Sequence, residues 1–528
     1  MKCGIGAFQQ PDVPFQGQDR VLVNLPKDAS PFEILSSYLT PDIVHHIVLE
    51  TNRYAQQYLS ANAATLKPSS EARRWHDTTD DEMVAFIGLL FLMGITYKPR
   101  LSMYWNTTDI FRSPMFGQVM SRRRFLLLLR FFHFADNSKF DPKDPARDRL
   151  YKVRPLLNMI RERLVAVYYP KRELCVDESL IPFKGRISFK QFIRNKRARF
   201  GVKMYELTTD RGILLNTFIY VGNTNTDLDT TLGADMLTTE RIPLSLMREY
   251  LDKGHCLFID NFYTTPRLAK FLLDRGTTMV GTVRSNRRQF PKVMLQKGES
   301  AAYEASGKGV LAMKYRAQCD KSNKKPKEVY LITTANKNES AATNKRAADG
   351  SVVMKPQCIL SYNRSMGGID MIDQQLETLH FLRRSYKWYR KVAIRLLLHC
   401  LLNSHKIYQF HCGGKHDFLR FLQDVITVMI SRAPQLNKVP GRQMDNVERL
   451  VGHNHFPTNR PIEATNSKTK SMKKTCHVCY ARGIRTARGL PVKTNFVCSG
   501  CSTQPGLCVG GGKDCFEAYH TKLDFSTC

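Results

Sequence analysis

The chain has 528 residues, with 80 Lys+Arg against 47 Asp+Glu, a formal net charge of +33. Hydrophobic residues at 42% suffice for real cores and exclude a wholly disordered basic tail. The longest uncharged apolar stretch, Met83 to Tyr97, is 15 residues, whereas a membrane span needs about 20, so no membrane partner is expected.

So large a positive excess needs a polyanion, and nucleic acid is the first candidate. Residues 1–30 carry Pro and Asp where a signal peptide would have its apolar run, so they read as a flexible arm of a protein that stays inside the cell. Residues 31–172 are helical in pattern. Thr79 to Glu82 has capping-box spacing, and the run MVAFIGLLFLMGI that follows predicts a helix buried on most sides. A second helix is expected over SRRRFLLLLRFFHF, where Arg122, Arg123 and Arg124 oppose the helix dipole. Those arginines read as phosphate contacts, as partners of acids elsewhere, or as a solvated charged end.

From 173 to 284 short β-like runs alternate with helical ones, the signature of an α/β core. Residues 285–355 are rich in Lys, Asn, Ser and Ala, with short β-like pieces such as VYLITT, and read as a partly flexible insertion. The core resumes over 356–380 and helical pattern over 381–433. Residues 434–474 read as a basic, Pro/Asn-rich linker, and a Cys-rich module closes the chain over 475–528.

Three segments place an Asp at the edge of an apolar element: CVDESLIPFKGR (Asp177), CLFIDNFYTTPRL (Asp260) and YNRSMGGIDMIDQQL (Asp370, with Asp373 one helical turn on). Each alone is an ordinary turn or capping acid. Three in a strongly basic protein are different, because acids beside phosphates repel unless divalent cations bridge them, as two Mg²⁺ ions do in phosphoryl transfer. Between Pro182 and Lys203 stand eight basic residues and no acid, with four interleaved phenylalanines. This suits a nucleic-acid strand, and equally an amphipathic strand pair with its basic face in water. Arg383 to Arg395 carries six basic residues and no acid around Trp388, which is either a base-stacking or a core tryptophan.

These strings resemble the piggyBac transposase family, close in pattern to its vertebrate-derived members: VDESLIPFKGR, FIDNFYTT, YNRSMGGIDMIDQQL, EMVAFIGLLFLMGI, SPMFGQVMSRRRF, RFFHFADN and the terminal CHVC…CSGC…CFEAYH. The resemblance covers roughly residues 30 to 528. It implies an RNase H-like catalytic core and an inserted mixed domain. It implies flanking all-α helices forming a dimerization and DNA-binding domain from two separated stretches, and a zinc module. Asp177, Asp260 and Asp370 would be the catalytic carboxylates holding Mg²⁺ or Mn²⁺, and Asp373 a further acid near them. Trp388 would lie close to transposon-end DNA. Lys184, Arg186, Lys190, Arg194, Arg197, Arg199, Arg383, Arg384 and Lys387 are the candidate DNA contacts. The acids are 83 and 110 residues apart, and the long second gap matches the family's insertion between second and third carboxylates. The implied activity is cut-and-paste transposition of double-stranded DNA, between terminal inverted repeats and TTAA targets, by a nuclear homodimer with no small-molecule substrate. The alternative is a domesticated DNA-binding protein that no longer transposes.

Fourteen cysteines divide evenly, seven scattered before residue 475 and seven from Cys476 to Cys528. Cys476-x2-Cys479 and Cys498-x2-Cys501 are zinc knuckles, followed by Cys508, Cys515 and His520. One ion needs four ligands and two need eight. The spacing leaves open a cross-braced pair, with His477 or Cys528 as eighth ligand, or one all-cysteine site with an incomplete second.

Overall fold

Proline at the first helical position opens both N-terminal helices, α1 (Pro31–Tyr38) and α2 (Pro41–Ala61), and Ser30 and Glu33 close a reciprocal capping box on the first. The computed structural model describes residues 10–194, 198–222, 227–229, 231–233, 235–286, 290, 293–304, 309–317, 327–346, 350–377, 379, 385–434, 455–459, 473–522 and 525–526. The chain divides into two compact units, Met1–Leu436 and Asn437–Cys528. Among the described residues no helix is long and apolar enough to cross a membrane.

In the first unit α3 (Asp80–Ile95), capped by the Thr79 hydroxyl, is buried nearly all round, as its sequence predicts. Next come α4 (Pro114–Val119), α5 (Arg122–Phe131) and α6 (Arg154–Val167). The arginines at the start of α5 find acids: Arg123 pairs with Glu71 at 2.8 Å, and the buried Arg124 bonds both carboxylate oxygens of Glu82 at 2.7 and 2.5 Å.

Among the described residues the central sheet has nine strands. They are β3 (Glu173–Pro182), β4 (Gln191–Phe192), β5 (Phe200–Thr209), β6 (Leu214–Ile219), β7 (Cys256–Ile259), β8 (Thr278–Thr282), β9 (Ser300–Glu304), β10 (Leu311–Arg316) and β11 (Glu328–Thr333). Helix α7 (Thr238–Met247) precedes β7, and α8 (Pro266–Asp274) joins β7 to β8. The order is β4-β5-β3-β7-β8-β11-β10-β9, with β6 also on β5. The β6–β5 and β5–β3 pairings are antiparallel, while β3–β7 and β7–β8 are parallel. Alternation along the strands separates two cores. Cys175, Phe258 and Val280 pack with Cys358, Ile359 and Ile369 on one side. Leu174, Val176, Leu257, Ile259 and Met279 join the main core.

The segment read as a partly flexible insertion supplies more regular structure than its composition predicts. β11, β10 and β9 continue the sheet antiparallel beyond β8, and β12 (Ser340–Arg346) with β13 (Val352–Pro356) forms a hairpin. After it come α9 (Gln357–Ser365), α10 (Gly368–Glu377), α11 (Trp388–His411) and α12 (Phe418–Ser431). A Cβ on Gly88 of α3 would stand 2.8 Å from the Met429 Cβ, so the two separated helical stretches pack closely.

Residues 10–30, read as a flexible arm, are laid down as a strap. Pro14 and Phe15 cross Gly254, the Phe15 ring meets His255 edge-on, and β1 (Arg20–Val21) pairs with β2 (Tyr168–Tyr169). Loose composition concealed this because its anchors are scattered residues with no helical run: Phe15 meets His255, Val21, Val23 and Leu25 pack against the main core, and the Gln16 N–H bonds the Lys253 carbonyl at 3.1 Å.

The second unit holds β14 (Pro457–Asn459), β15 (Lys474–Thr475), α13 (His477–Ala481), β16 (Lys493–Thr494), β17 (Phe496–Cys498) and α14 (Cys515–Thr521). β14 pairs with β17 and β15 with β16. Part of the expected linker therefore belongs to the Cys-rich module.

Candidate active site and metal centres

The parallel register of β3 and β7 matches Cys175 with Phe258 and Val176 with Ile259, so the next positions are Asp177 and Asp260. Continued by one residue, that register brings the two aspartates to neighbouring positions on adjacent chains, which in a sheet lie about 4.8 Å apart. They lie at the carboxyl end of the parallel pair, where ligands bind in open α/β sheets. Asp260 starts a tight turn. Its Oδ1 accepts the Phe262 N–H at 2.8 Å, its carbonyl accepts the Thr264 hydroxyl at 2.7 Å, and the Thr265 hydroxyl then caps α8. Gly281 on β8 makes room for this turn, since a Cβ there would be 2.2 Å from the Thr264 hydroxyl oxygen.

Asp370 lies exposed in the first turn of α10, and that helix is seated on the face bearing Asp177. A Cβ on Gly368 would meet the Thr209 carbonyl oxygen at 2.3 Å and the Cys175 sulfur at 3.0 Å. Asp373 accepts a 2.6 Å bond from the buried Arg395 of α11. Burial pushes the Asp260 carboxyl above the usual range, the Phe262 N–H opposes this, and the Glu178 charge adds to the rise. Tyr362 of α9 is pushed up to about 12, by burial first and then by the Asp260 and Asp177 charges. A cation beside these acids relieves both effects, and oxygen donors of this kind suit Mg²⁺. Antiparallel register places Glu206 of β5 opposite Asp177; fully buried, it faces His399 of α11 at 3.4 Å. The sequence reading missed Glu206, because a lone Glu in an apolar strand carries no local signal.

The two basic runs meet. Trp388 is half-buried and packs edge-on against Phe189, ring centroids 5.2 Å apart, and Lys391 bonds the Pro182 carbonyl at 2.7 Å. Within the second run Arg390, Lys391 and Arg395 are buried on protein partners, which removes them from any open basic surface. Lys387 bonds the Tyr54 hydroxyl at 3.3 Å and is pushed down to about 8 by burial and by Arg390, Lys152 and Arg130. In the first run Phe183 and Phe189 are core residues, while Phe192 and Phe200 form an exposed pair flanked by exposed Lys184, Arg186, Arg194 and Arg199, with Lys190 half-buried. Arg197, Arg383 and Arg384 lie outside the described residues.

In the second unit two four-ligand groups form: Cys476, Cys479, Cys508 and Cys515; and His455, Cys498, Cys501 and His520. The pairs alternate along the chain, so the module is cross-braced. Among the described residues the second group is completed by His455 and not by His477, which packs against the Tyr519 and Phe525 rings; Cys528 lies outside the described residues. His455 was hidden within the expected linker, 21 residues before the first knuckle, though the shortfall of one ligand was its signal. The donors fit zinc. A tetrahedron with Zn–S of about 2.3 Å has edges of about 3.8 Å. The Cys479 and Cys515 sulfurs are 3.5 Å apart, and His455 Nδ1 is 3.5 Å from both Cys498 and Cys501. His520 Nδ1 bonds the Phe516 carbonyl at 2.8 Å, leaving Nε2, 3.5 Å from Cys501, for a metal.

Residues 30–405 match the family model described as Transposase IS4, and residues 458–521 one described as a DDE_Tnp_1-like zinc finger. The chain is 26% identical over 443 residues to human PiggyBac transposable element-derived protein 3, covering 81% of this chain and 70% of that protein. It is 25% identical over 456 residues to human PiggyBac transposable element-derived protein 2, with the same coverage. Its fold is similar to the cryo-EM structure of the piggyBac transposase synaptic complex with hairpin DNA, with a TM-score of 0.68 and 22% identity, covering 93% of this chain and 98% of that one.

Proposed function

The chain belongs to the transposase IS4 family, in its piggyBac branch, and from that premise we propose that it is a cut-and-paste DNA transposase. The observation that carries the reading is the register that sets Asp177 beside Asp260, on the face where Gly368 seats the helix bearing Asp370. We read β6-β5-β3-β7-β8 as an RNase H-like core, on its antiparallel-then-parallel order. Bound Mg²⁺ or Mn²⁺ would stabilise the attacking and leaving oxygens of DNA strand cleavage and 3′-OH strand transfer. Asp177, Asp260 and Asp370 would hold it. Arg395 holds Asp373 and with it the second turn of α10, and the Thr264 and Thr265 bonds hold the Asp260 turn.

The exposed Phe192–Phe200 pair with its cations supports contact with DNA, and the similar piggyBac transposase structure is a synaptic complex with hairpin DNA. Terminal inverted repeats, TTAA targets, a homodimer and a nuclear address complete the reading. The second reading, a DNA-binding protein that no longer transposes, is favoured by one observation: the human relatives are named as derived from transposable elements. An excision assay in cells separates the two, with a marker flanked by the repeats that border the gene. Excision by wild type, lost in Asp177→Ala, Asp260→Ala and Asp370→Ala proteins that still bind DNA, supports the transposase. Equal excision by all four would sink the assignment of the aspartates, and no excision by wild type would favour the binder.

A further inference from the structure

A cleft with a cavity volume of about 630 Å³ opens between the sheet extension, the β12–β13 hairpin and α9. Its inner end is lined by Asn261 and Tyr362, the residue after Asp260 and the tyrosine that feels the Asp260 and Asp177 charges. Towards it face the buried Tyr315, Leu331 and Ile359 with half-buried Val329 and Tyr362, while the Tyr330 ring packs with Phe290 and Lys314 on the other face of the sheet. Its walls carry Lys327, Lys345, Arg346 and Lys355. The single acid in the lining, Glu328, is engaged by Lys314 at 3.1 Å and by the Tyr330 hydroxyl at 2.5 Å, so the wall cations dominate the field. The hairpin is tied down, since the Tyr315 hydroxyl donates to the Met354 carbonyl at 3.1 Å.

We propose that this cleft holds one or two unpaired nucleotides of the DNA strand adjoining the reacting phosphate. The proposal rests on the transposase reading and adds a strand-binding site to it. The volume is that of a small-molecule pocket and far too small for a duplex. A half-buried tyrosine, Tyr362, beside a line of cations is what an unpaired nucleotide needs, because a base stacks on the ring and phosphates meet the ammonium and guanidinium groups. Position decides the substrate further. A strand whose phosphate lay at Asp177 and Asp260 would pass Asn261 and Tyr362 into the cleft with its next nucleotides. The insertion would then act as the part of the sheet that keeps the strand end open beside the carboxylates.

The test uses the full chain, a fluorescein-labelled hexathymidylate at low salt, and the same oligonucleotide carrying 5-iododeoxyuridine for photocrosslinking. Wild type should bind the single strand and cross-link at Tyr362. A Lys345→Ala, Arg346→Ala, Lys355→Ala triple variant should bind it about tenfold more weakly or worse. A Tyr362→Ser variant that retains the wild-type melting temperature should lose the cross-link. An Asp177→Ala, Asp260→Ala variant should bind and cross-link as wild type while losing metal-dependent cleavage. Cross-links confined to β4–β5 or to the Cys-rich unit, or undiminished binding by the triple variant, would overturn the cleft even with cleavage intact. Cross-links in the cleft of a wild-type protein that cleaves no DNA would leave the cleft standing and remove the transposase reading.

Discussion

Gly368 at the start of α10 lies so close to β3 that a Cβ placed on it would stand 3.0 Å from the Cys175 sulfur. That contact sets where Asp370 sits relative to Asp177, two residues beyond each partner. Gly368→Ala must therefore displace the helix, because the Thr209 carbonyl at 2.3 Å is backbone and cannot turn aside. A loss of about 1–3 kcal/mol is expected from overpacking, read by thermal denaturation. Strand cleavage should fall by much more than stability, and should recover only in part at higher Mg²⁺. Wild-type cleavage in this variant would show that α10 need not be seated there.

The Asp260 carboxyl, raised mainly by burial, contributes less to the stability of the metal-free fold at neutral pH than in acid. Between the ordinary Asp range and its higher folded value, the native state binds more protons than the unfolded one. Stability therefore falls as pH rises through that window. Asp260→Asn should remove this slope and raise the metal-free melting temperature by about 1–3 °C. It should also abolish the stabilisation that Mg²⁺ gives wild type. Differential scanning fluorimetry from pH 4 to 8, with and without Mg²⁺, checks both signs.

Arg124 and Glu82 form a buried bidentate pair, which Thr78 supports by donating its hydroxyl to Glu82 at 2.7 Å. Burial alone would raise the Glu82 carboxyl, but the Arg124 and Thr78 bonds outweigh it and lower it. Its contribution is thus present above the usual Glu range and lost as pH falls through the lowered folded value. Arg124→Met should cost about 3–5 kcal/mol by stranding a buried charge, and the Arg124→Met, Glu82→Gln double variant clearly less. Urea denaturation of the four proteins completes the cycle. A double-variant loss equal to the sum of the two single losses would mean that the pair is not coupled.

The strap over Gly254 gives a local prediction. Gly254 has φ +80, and an added Cβ would meet the Pro14 carbonyl at 2.1 Å. Gly254→Ala should cost about 1–2 kcal/mol for the left-handed backbone alone and should lift the strap. Hydrogen exchange reports it directly. The Gln16 and Leu22 amides, bonded to the Lys253 and Val167 carbonyls at 3.1 and 2.8 Å, should lose protection while the α3 amides keep theirs.

Elements with a strong local period were legible from the sequence. The buried helix α3 follows from its capping residues and apolar run, and the strands around Asp177 and Asp260 from their β-branched and apolar runs. What was not legible depends on contacts between distant segments. The insertion's strands are short and rich in Lys and Ala, and gain their stability from the edge offered by β8. The Arg383–Arg395 run reads as one basic face in sequence. On the helix Arg390, Lys391 and Arg395 turn inward onto carbonyls and an acid that lie elsewhere in the chain. The pairing of Asp177 with Asp260 is itself a matter of register, which no local pattern states.

The same distance hid His455, and the Cys-rich unit supplies the sharpest test of it. The core of this unit consists largely of its ligands, Cys476, Cys479, Cys498, Cys501 and Cys515, with Val478, Leu507 and Tyr519. So little apolar side chain cannot hold a fold without metal, and structural zinc contributes about 10–16 kcal/mol in small domains. The two four-ligand groups predict two zinc ions per chain by plasma mass spectrometry. His455→Ala leaves Cys498, Cys501 and His520 for one ion, so zinc content should fall towards one per chain. His477→Ala should leave it at two, since that ring packs against Tyr519 and Phe525 and lies in neither group. With Co²⁺ in place of zinc, the intense thiolate-to-metal absorption of the four-cysteine group should survive His455→Ala and collapse in Cys508→Ser. Unchanged metal content in His455→Ala would return the eighth ligand to some other residue.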